Sequence, residues 1–241
     1  MWFCIFRNIF FFYAKPAFKI RTALNNKSFH TQNEKDLGGS KSCNDIECNM
    51  HSKNDIGIEV KKAKTPDWMQ CSLKLNKTKW EGSEKGVIPK TSRNEFNKLL
   101  ESVVLFNNNI PPFLQKQLTH REWLEIKNKN NIFDDYYIKI PNDTINKLYL
   151  AKSCYYIQIS DYGLYRLGED ICGFNVPLFQ ISQKMRIRIK IHQKKNKLGF
   201  CVMSVIASCL PNDISVLEAS PYTLDNKEKL PKNLVYKDII C

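Results

Sequence analysis

This sequence of 241 residues lacks the short motifs by which many enzymes are recognised. It contains no glycine-rich phosphate loop, no dinucleotide-binding glycine pattern, no HExxH zinc motif and no GxSxG nucleophile turn. Only four histidines occur, and they are scattered along the chain. His120 and Glu122 stand two positions apart on a predicted helix, so they do not share a face. The sequence therefore predicts a non-catalytic protein without a cofactor.

Cysteine is frequent, but no two cysteines form a CxxC pair. Nine cysteines at irregular spacing do not fit a disulfide framework. Cys43, Cys48 and His51 lie close together, and zinc accepts Cys and His in a tetrahedral site. Their spacing matches no common zinc finger and no fourth ligand is near. We therefore predict a linker here, and whether these three residues bind a metal stays open.

Apolar runs of the length that a membrane-spanning helix needs, about 20 residues, are also lacking. The uninterrupted apolar part of the N-terminal segment runs only from Ile9 to Ala14. Residues 1–33 have no acidic side chain and carry five cations among aromatic and aliphatic residues. Such a composition is typical of a mitochondrial presequence. We predict a targeting segment at 1–33 and a mitochondrial protein without a transmembrane segment; a plastid or secretory leader is the alternative.

Acidic residues are absent from a second window, residues 171–212, which holds seven lysines and arginines. The net charge of the chain is +13, and these two windows carry nearly all of it. The rest of the chain is almost neutral. The basic character is therefore confined to two segments, and each needs its own explanation.

The remaining sequence divides into three parts. Residues 34–65 are polar and without periodicity, which predicts a flexible linker. Residues 66–135 are predicted to be helical, because apolar residues recur at helical spacing after the capping boxes Ser92–Glu95 and Thr119–Glu122. Residues 136–241 hold short β-branched and aromatic runs between turns, which predicts strands. The predicted fold class is α+β: N-terminal helices followed by a mostly antiparallel sheet of about four to six strands, in one globular unit.

The stretch RIRIKIH, residues 186–192, alternates cations with isoleucine. Successive side chains of a strand point to opposite faces, so the isoleucines should face the core and the cations the solvent. The loop that follows adds three lysines and joins this strand to a predicted partner strand, 200–207, which is apolar on both faces and therefore should lie inside the sheet. The predicted nucleic-acid-binding residues of this cationic ridge are Arg186, Arg188, Lys190, His192, Lys194, Lys195 and Lys197.

A row of cations without acids binds phosphate backbones through counterion release. Exposed aromatic rings beside such a row stack on single-stranded bases, and Tyr156, Tyr162 and Tyr165 are the candidates. The predicted function is therefore a mitochondrial protein that binds RNA or single-stranded DNA, including as a component associated with the organellar ribosome. The alternatives are a contact of the ridge with an acidic protein, a structural or assembly subunit of an organellar complex, and a solvated face without a partner.

Overall fold

The computed structural model describes residues 53–64, 67–84 and 88–231, together with the backbone of two earlier strands. Side chains are described from Ile56 onward, apart from those of Asn108 and Lys227. The strands in chain order are β1 (Phe3–Phe6), β2 (Ile46–Met50), β3 (Lys53–Lys61), β4 (Met69–Asn76), β5 (Lys79–Gly82), β6 (Tyr136–Ile140), β7 (Cys154–Ile159), β8 (Gly163–Arg166), β9 (Gln183–Gln193) and β10 (Val202–Pro211). The helices are α1 (Lys90–Glu101), α2 (Pro112–Gln115), α3 (His120–Lys129) and α4 (Thr144–Leu150), and 3-10 turns lie at Phe106–Asn108, Ile214–Val216 and Lys227–Lys229.

The strands form two sheets. One is antiparallel throughout and has five strands in the order β5-β4-β10-β9-β6. The other is built on three strands, β3-β7-β8, in which β3 and β7 pair in parallel. The backbones of β2 and β1 continue this second sheet beyond β3. The α+β class is confirmed, with two sheets in place of one.

The predicted order of elements is wrong, because strands precede the helices. β3, β4 and β5 all come before α1. The nine residues of β3 lie in the segment predicted to be a linker, yet Ile56 and Ile58 are buried there, so they belong to the folded part. In β4, Met69, Cys71 and Leu73 alternate with Gln70 and Lys74 between core and solvent. That period of two is a strand pattern within the segment predicted to be helical.

The main core lies between the two sheets and is closed by two helices. It contains Phe96 and Leu99 of α1, Tyr149 of α4, Ile157 of the three-stranded sheet and Ile187 of the five-stranded sheet, together with their neighbours. A second cluster covers the opposite face of the three-stranded sheet with side chains from 172–176 and 224–230. Both faces of the three-stranded sheet are therefore buried, whereas the five-stranded sheet buries one face and presents the other to solvent.

The two predicted capping boxes have different outcomes. Thr119 and Glu122 form the box as predicted, since the Thr119 side chain accepts from the Glu122 amide and the Glu122 carboxylate accepts from the Thr119 amide. The Ser92 box is wrong, because α1 begins at Lys90, directly after Pro89. Ser92 therefore lies inside the helix and does not cap it. Ser92 is buried, and its hydroxyl donates to the Leu148 carbonyl at 2.8 Å. This hydroxyl therefore ties α1 to α4.

Some predictions concern residues outside the described part. The targeting segment 1–33 lies there apart from the backbone of β1, and so do Cys43, His51 and the side chain of Cys48. Among the described residues, no cluster of three or more His, Cys, Asp or Glu side chains could hold a metal ion. In the same residues, no helix has the length and apolar character to cross a membrane.

Candidate nucleic-acid surface and a buried ion cluster

The predicted ridge strand is β9, and its alternation is confirmed. Met185 and Ile187 are fully buried in the main core. Arg186 and Arg188 point to the opposite face, and the exposure of the cations on that face rises along the strand toward Lys190 and His192. The pairing of β9 with β10 is also confirmed, with Ile189 opposite Val205. β10 lies at the centre of its sheet, as its apolar character on both faces predicts.

The two arginines of the ridge are neutralised by acids from elsewhere in the chain. The Arg186 guanidinium donates to the Asp135 carboxylate and lies 3.3 Å from Asp67, and Arg188 lies 3.0 Å from Asp67. Partial burial by itself would lower the pKa of Arg186, but the hydrogen bond to Asp135 and the charges of both acids raise it. These two positions are therefore part of an ion network, and phosphate contacts from them stay a prediction.

The acids reach the ridge from two sides of the sheet, because β6 pairs with β9 and β4 lies one strand away, beyond β10. Asp67 directly precedes Trp68 and β4, and Asp135 directly precedes β6. β6 pairs with the first half of β9, where Tyr136 stands opposite Ile187. The second half of β9 extends beyond β6 and has no neighbour on that side among the described residues. The ridge thus has a paired inner half and an open outer half.

The open half carries the remaining predicted residues, which we term the outer cation group: Lys190, His192, Lys194, Lys195 and Lys197. All five are exposed. The His192 imidazole shares a hydrogen bond of 2.6 Å with the Ser204 hydroxyl on the neighbouring strand. Within the described residues no acidic side chain pairs with any of the five. Within the described residues, the group thus places four lysines without an acidic partner on one hairpin.

The loop between β9 and β10 is ordered by the side chain of Asn196. Its amide oxygen accepts from the backbone amides of Leu198 and Phe200 at 2.9 and 3.0 Å. Gly199 has a φ of +84°, a conformation that favours glycine, and its amide donates to the Asn196 carbonyl. The loop is thus a turn with a defined backbone, from which the three exposed lysine side chains extend.

The tyrosines predicted to stack on bases do not lie beside the ridge. Tyr156 and Tyr165 belong to the three-stranded sheet and are buried, with exposures of 0% and 1%. Their hydroxyls donate to Asp170 and to the Glu218 carbonyl. Tyr162 is half-buried and packs against the main core. Burial of the Tyr156 and Tyr165 rings corrects their predicted role, since an enclosed ring cannot stack on a base, and stacking by Tyr162 stays a prediction.

Sequence reasoning missed a buried ion cluster at the end of β3. Glu59 is the one charged residue among the buried positions that the structure describes. Its carboxylate lies 2.5 Å from the Lys61 ammonium and 2.7 Å from the Lys152 ammonium. The Tyr149 ring lies 5.2 Å from the Lys152 ammonium, within the range of a cation–π contact. We term Glu59, Lys61 and Lys152 the buried ion cluster.

Electrostatics keep the Glu59 carboxylate ionised despite its burial. Desolvation by itself would raise the pKa of Glu59, but the charges and hydrogen bonds of Lys61 and Lys152 outweigh it and hold the pKa at about 2. Glu59 and Lys61 are two positions apart on one strand and so share a face, which the sequence GIEVK indicates. Lys152 lies 93 residues from Glu59, and only the fold brings it close.

The described cysteines show no sign of nucleophilic activation. Burial raises the pKa of the Cys201 and Cys209 thiols, which is the opposite of what a reactive thiolate needs. Thiol chemistry is therefore not supported at these positions.

Comparison with known proteins identifies no family for this chain. No protein-family model matches it, and no curated protein matches it. Among solved structures, the chain weakly resembles HhaI endonuclease in complex with DNA, with 14% sequence identity and a TM-score of 0.34. The resemblance covers 81% of this chain and 91% of the endonuclease chain. A likeness at this level carries no argument about fold or function, so the function is argued below from this chain's own residues.

Proposed function

We propose that this protein binds nucleic acid through the outer cation group. The observation that carries the proposal is the exposure of Lys190, Lys194, Lys195 and Lys197 on one hairpin without an acidic partner among the described residues. Phosphate backbones bind such groups because each neutralised phosphate releases condensed counterions. Contacts with base edges do not contribute to this electrostatic attraction, so the expected binding is largely independent of the nucleotide sequence.

The contrast between the two halves of the ridge supports this proposal. Where carboxylates are within reach, as at Arg186 and Arg188, the fold pairs them with the cations. At the other end of the same strand the positive charges repel one another without such compensation. Self-repulsion destabilises the folded state, and an anionic partner relieves it.

The finer proposal is a mitochondrial protein that acts on RNA or single-stranded DNA, including in association with the organellar ribosome. The location is supported by the acid-free, cationic composition of residues 1–33. A preference for single strands depends on aromatic rings that stack on bases. The rings of Tyr156 and Tyr165 are buried and do not contribute to such stacking. Phosphate contacts remain, and a double strand offers them as well as a single strand does.

The test is the salt dependence of oligonucleotide binding. If four lysines neutralise phosphates, log affinity should fall with log salt at a slope of about −2.8 for a single strand or −3.6 for a duplex. Replacing Lys195 and Lys197 by Gln should flatten the slope by about 1.4 or 1.8, because two contacts are lost. Fluorescence anisotropy with labelled oligonucleotides between low and physiological salt measures both values.

A matched control removes the same net charge elsewhere. Lys90 and Lys229 are exposed on α1 and near the C-terminal end of the described chain, and the Lys90→Gln, Lys229→Gln variant should bind as the parent does. Equal slopes for the parent and for the Lys195→Gln, Lys197→Gln variant would contradict the proposal. A parent that binds no oligonucleotide, yet co-purifies with an organellar complex after nuclease treatment, would favour the assembly-subunit alternative.

A further inference from the structure

The tip of the β9–β10 hairpin exposes a large apolar side chain. Leu198 is 76% exposed, the highest value among the large hydrophobic residues that the structure describes. A single exposed leucine needs no explanation by itself. Leu198 differs because it directly follows Lys197 and lies within four residues of Lys194 and Lys195, all exposed. The tip therefore combines an apolar point with three positive charges.

The leucine is exposed on an ordered turn. The Leu198 amide donates to the Asn196 side chain at 2.9 Å, and the Asn196 amide donates to the Phe200 carbonyl at 2.7 Å. The segment that precedes α3 stabilises the turn, because Phe200 forms a β-bridge with Thr119 and the Cys201 amide donates to the Leu118 carbonyl. Insertion of Leu198 into a partner would thus cost little additional ordering of the backbone.

We propose that Leu198 is a wedge that enters the minor groove of double-stranded DNA and separates two stacked base pairs. Leucine is one of the side chains that proteins insert between base steps in this way, and the kinked duplex then contacts more of the protein. Lys194, Lys195 and Lys197 contact the phosphates on either side of the inserted leucine. This inference rests on the nucleic-acid-binding function proposed above and narrows it to a duplex.

The residues of the hairpin favour a duplex over a single strand. Binding to single strands depends on exposed aromatic rings on which bases stack. Between Gln183 and Pro211 the sequence has one such ring besides His192, that of Phe200, and it is half-buried beside Thr119. The exposed Tyr137 ring lies on β6 opposite Arg186, at the paired half of β9 and not at the hairpin tip. An aliphatic wedge has no flat face for stacking, but it fills the gap that opens between two unstacked base pairs.

The experiment separates binding from unstacking. Duplex oligonucleotides that carry the fluorescent base 2-aminopurine at an A·T step should brighten when the full chain binds, because the base loses its stacking partner. Leu198→Ala should abolish this increase and lower affinity about tenfold, since burial of a leucine side chain is worth about one to two factors of ten. The salt slope of this variant should stay that of the parent, because its lysines are intact.

The matched control is Val216→Ala. Val216 is 70% exposed on a separate 3-10 turn, so it tests the loss of an exposed apolar side chain away from the hairpin. Both substitutions are at exposed positions and should leave the fold intact. The control should keep the fluorescence increase and the affinity of the parent.

The outcomes distinguish the two levels of the proposal. If the parent binds no nucleic acid, the proposed function fails and the wedge with it. If the parent binds with the expected salt slope but 2-aminopurine does not brighten, or Leu198→Ala leaves the increase unchanged, only the wedge is wrong. A third arm measures binding to vesicles of anionic phospholipid. If the parent binds the vesicles, Leu198→Ala abolishes that binding, and duplexes show no fluorescence change, then the tip is a membrane contact and the proposal is overturned.

Discussion

Glu59→Gln should destabilise the protein by about 3–5 kcal/mol at neutral pH, the range for removing one partner from a buried ion pair. The substitution keeps the shape of the side chain but removes the negative charge that lies 2.5 and 2.7 Å from two ammonium groups. Those ammonium groups then lose this counter-charge inside the protein. Urea denaturation followed by circular dichroism measures the difference.

The size of this effect should depend on pH in a defined direction. The pKa of Glu59 is lowered in the folded state from its usual 4.5 to about 2. A carboxylate of this kind stabilises the folded state above its unfolded pKa, and the contribution is lost as pH falls toward the folded pKa. The difference between parent and Glu59→Gln should therefore be constant above about pH 5 and shrink between about pH 5 and pH 2.

An exposed ion pair provides the control for this prediction. Glu81 lies 3.6 Å from Lys74 at the surface of the five-stranded sheet. Glu81→Gln should cost less than about 1 kcal/mol, because solvent screens an exposed pair. Equal small losses for both substitutions would mean that the Glu59 cluster is solvated and not buried.

Asp67→Asn should be the second most disruptive of these substitutions. Asp67 is 10% exposed at its side chain and is shared by Arg186 and Arg188. Arg186 keeps Asp135 when Asp67 is neutralised, but Arg188 loses its ion pair. The expected loss is about 3 kcal/mol, the low end for a broken buried pair, because one of the two arginines stays neutralised.

Asp67→Asn, which should lower the stability of the fold, should strengthen nucleic-acid binding. Arg188 stands on the same face of β9 as Lys190, so its release adds one cation to the outer cation group. The salt slope should steepen by about 0.7 for a single strand or 0.9 for a duplex. The control Asp134→Asn removes an exposed acid that makes no described ion pair, and should change neither stability nor slope. A steeper slope for both variants would show that net charge alone controls binding.

Local patterns in the sequence predicted several elements correctly. The alternation of β9 is confirmed because a strand must send successive side chains to opposite faces, and a core accepts Ile187 but not Arg186. The box at Thr119 is confirmed because its hydrogen bonds join residues three apart. The Ser92 box follows the same pattern and is wrong, since a buried partner on α4 captures the hydroxyl.

The early strands were within reach of the same reasoning. β4 alternates apolar and polar residues from Met69 to Lys74, which is a strand pattern. β3 is harder to recognise, because its polar start resembles the linker before it and its charged Glu59 is buried among lysines. A charge in a buried strand contradicts the usual pattern, and only its partners explain it.

What the sequence determined by itself about this protein is the α+β class, the β9–β10 hairpin and the position of its cations, because these depend on spacing along one strand or turn. The tertiary structure decided which of these cations have an acidic partner. Asp67 and Asp135 lie 119 and 51 residues from Arg186, and the sheet brings them to it. The tertiary structure also brings Lys152 to Glu59 and buries the rings of Tyr156 and Tyr165. Charge neutralisation and burial depend on contacts between distant segments, and the pattern of a single segment does not contain them.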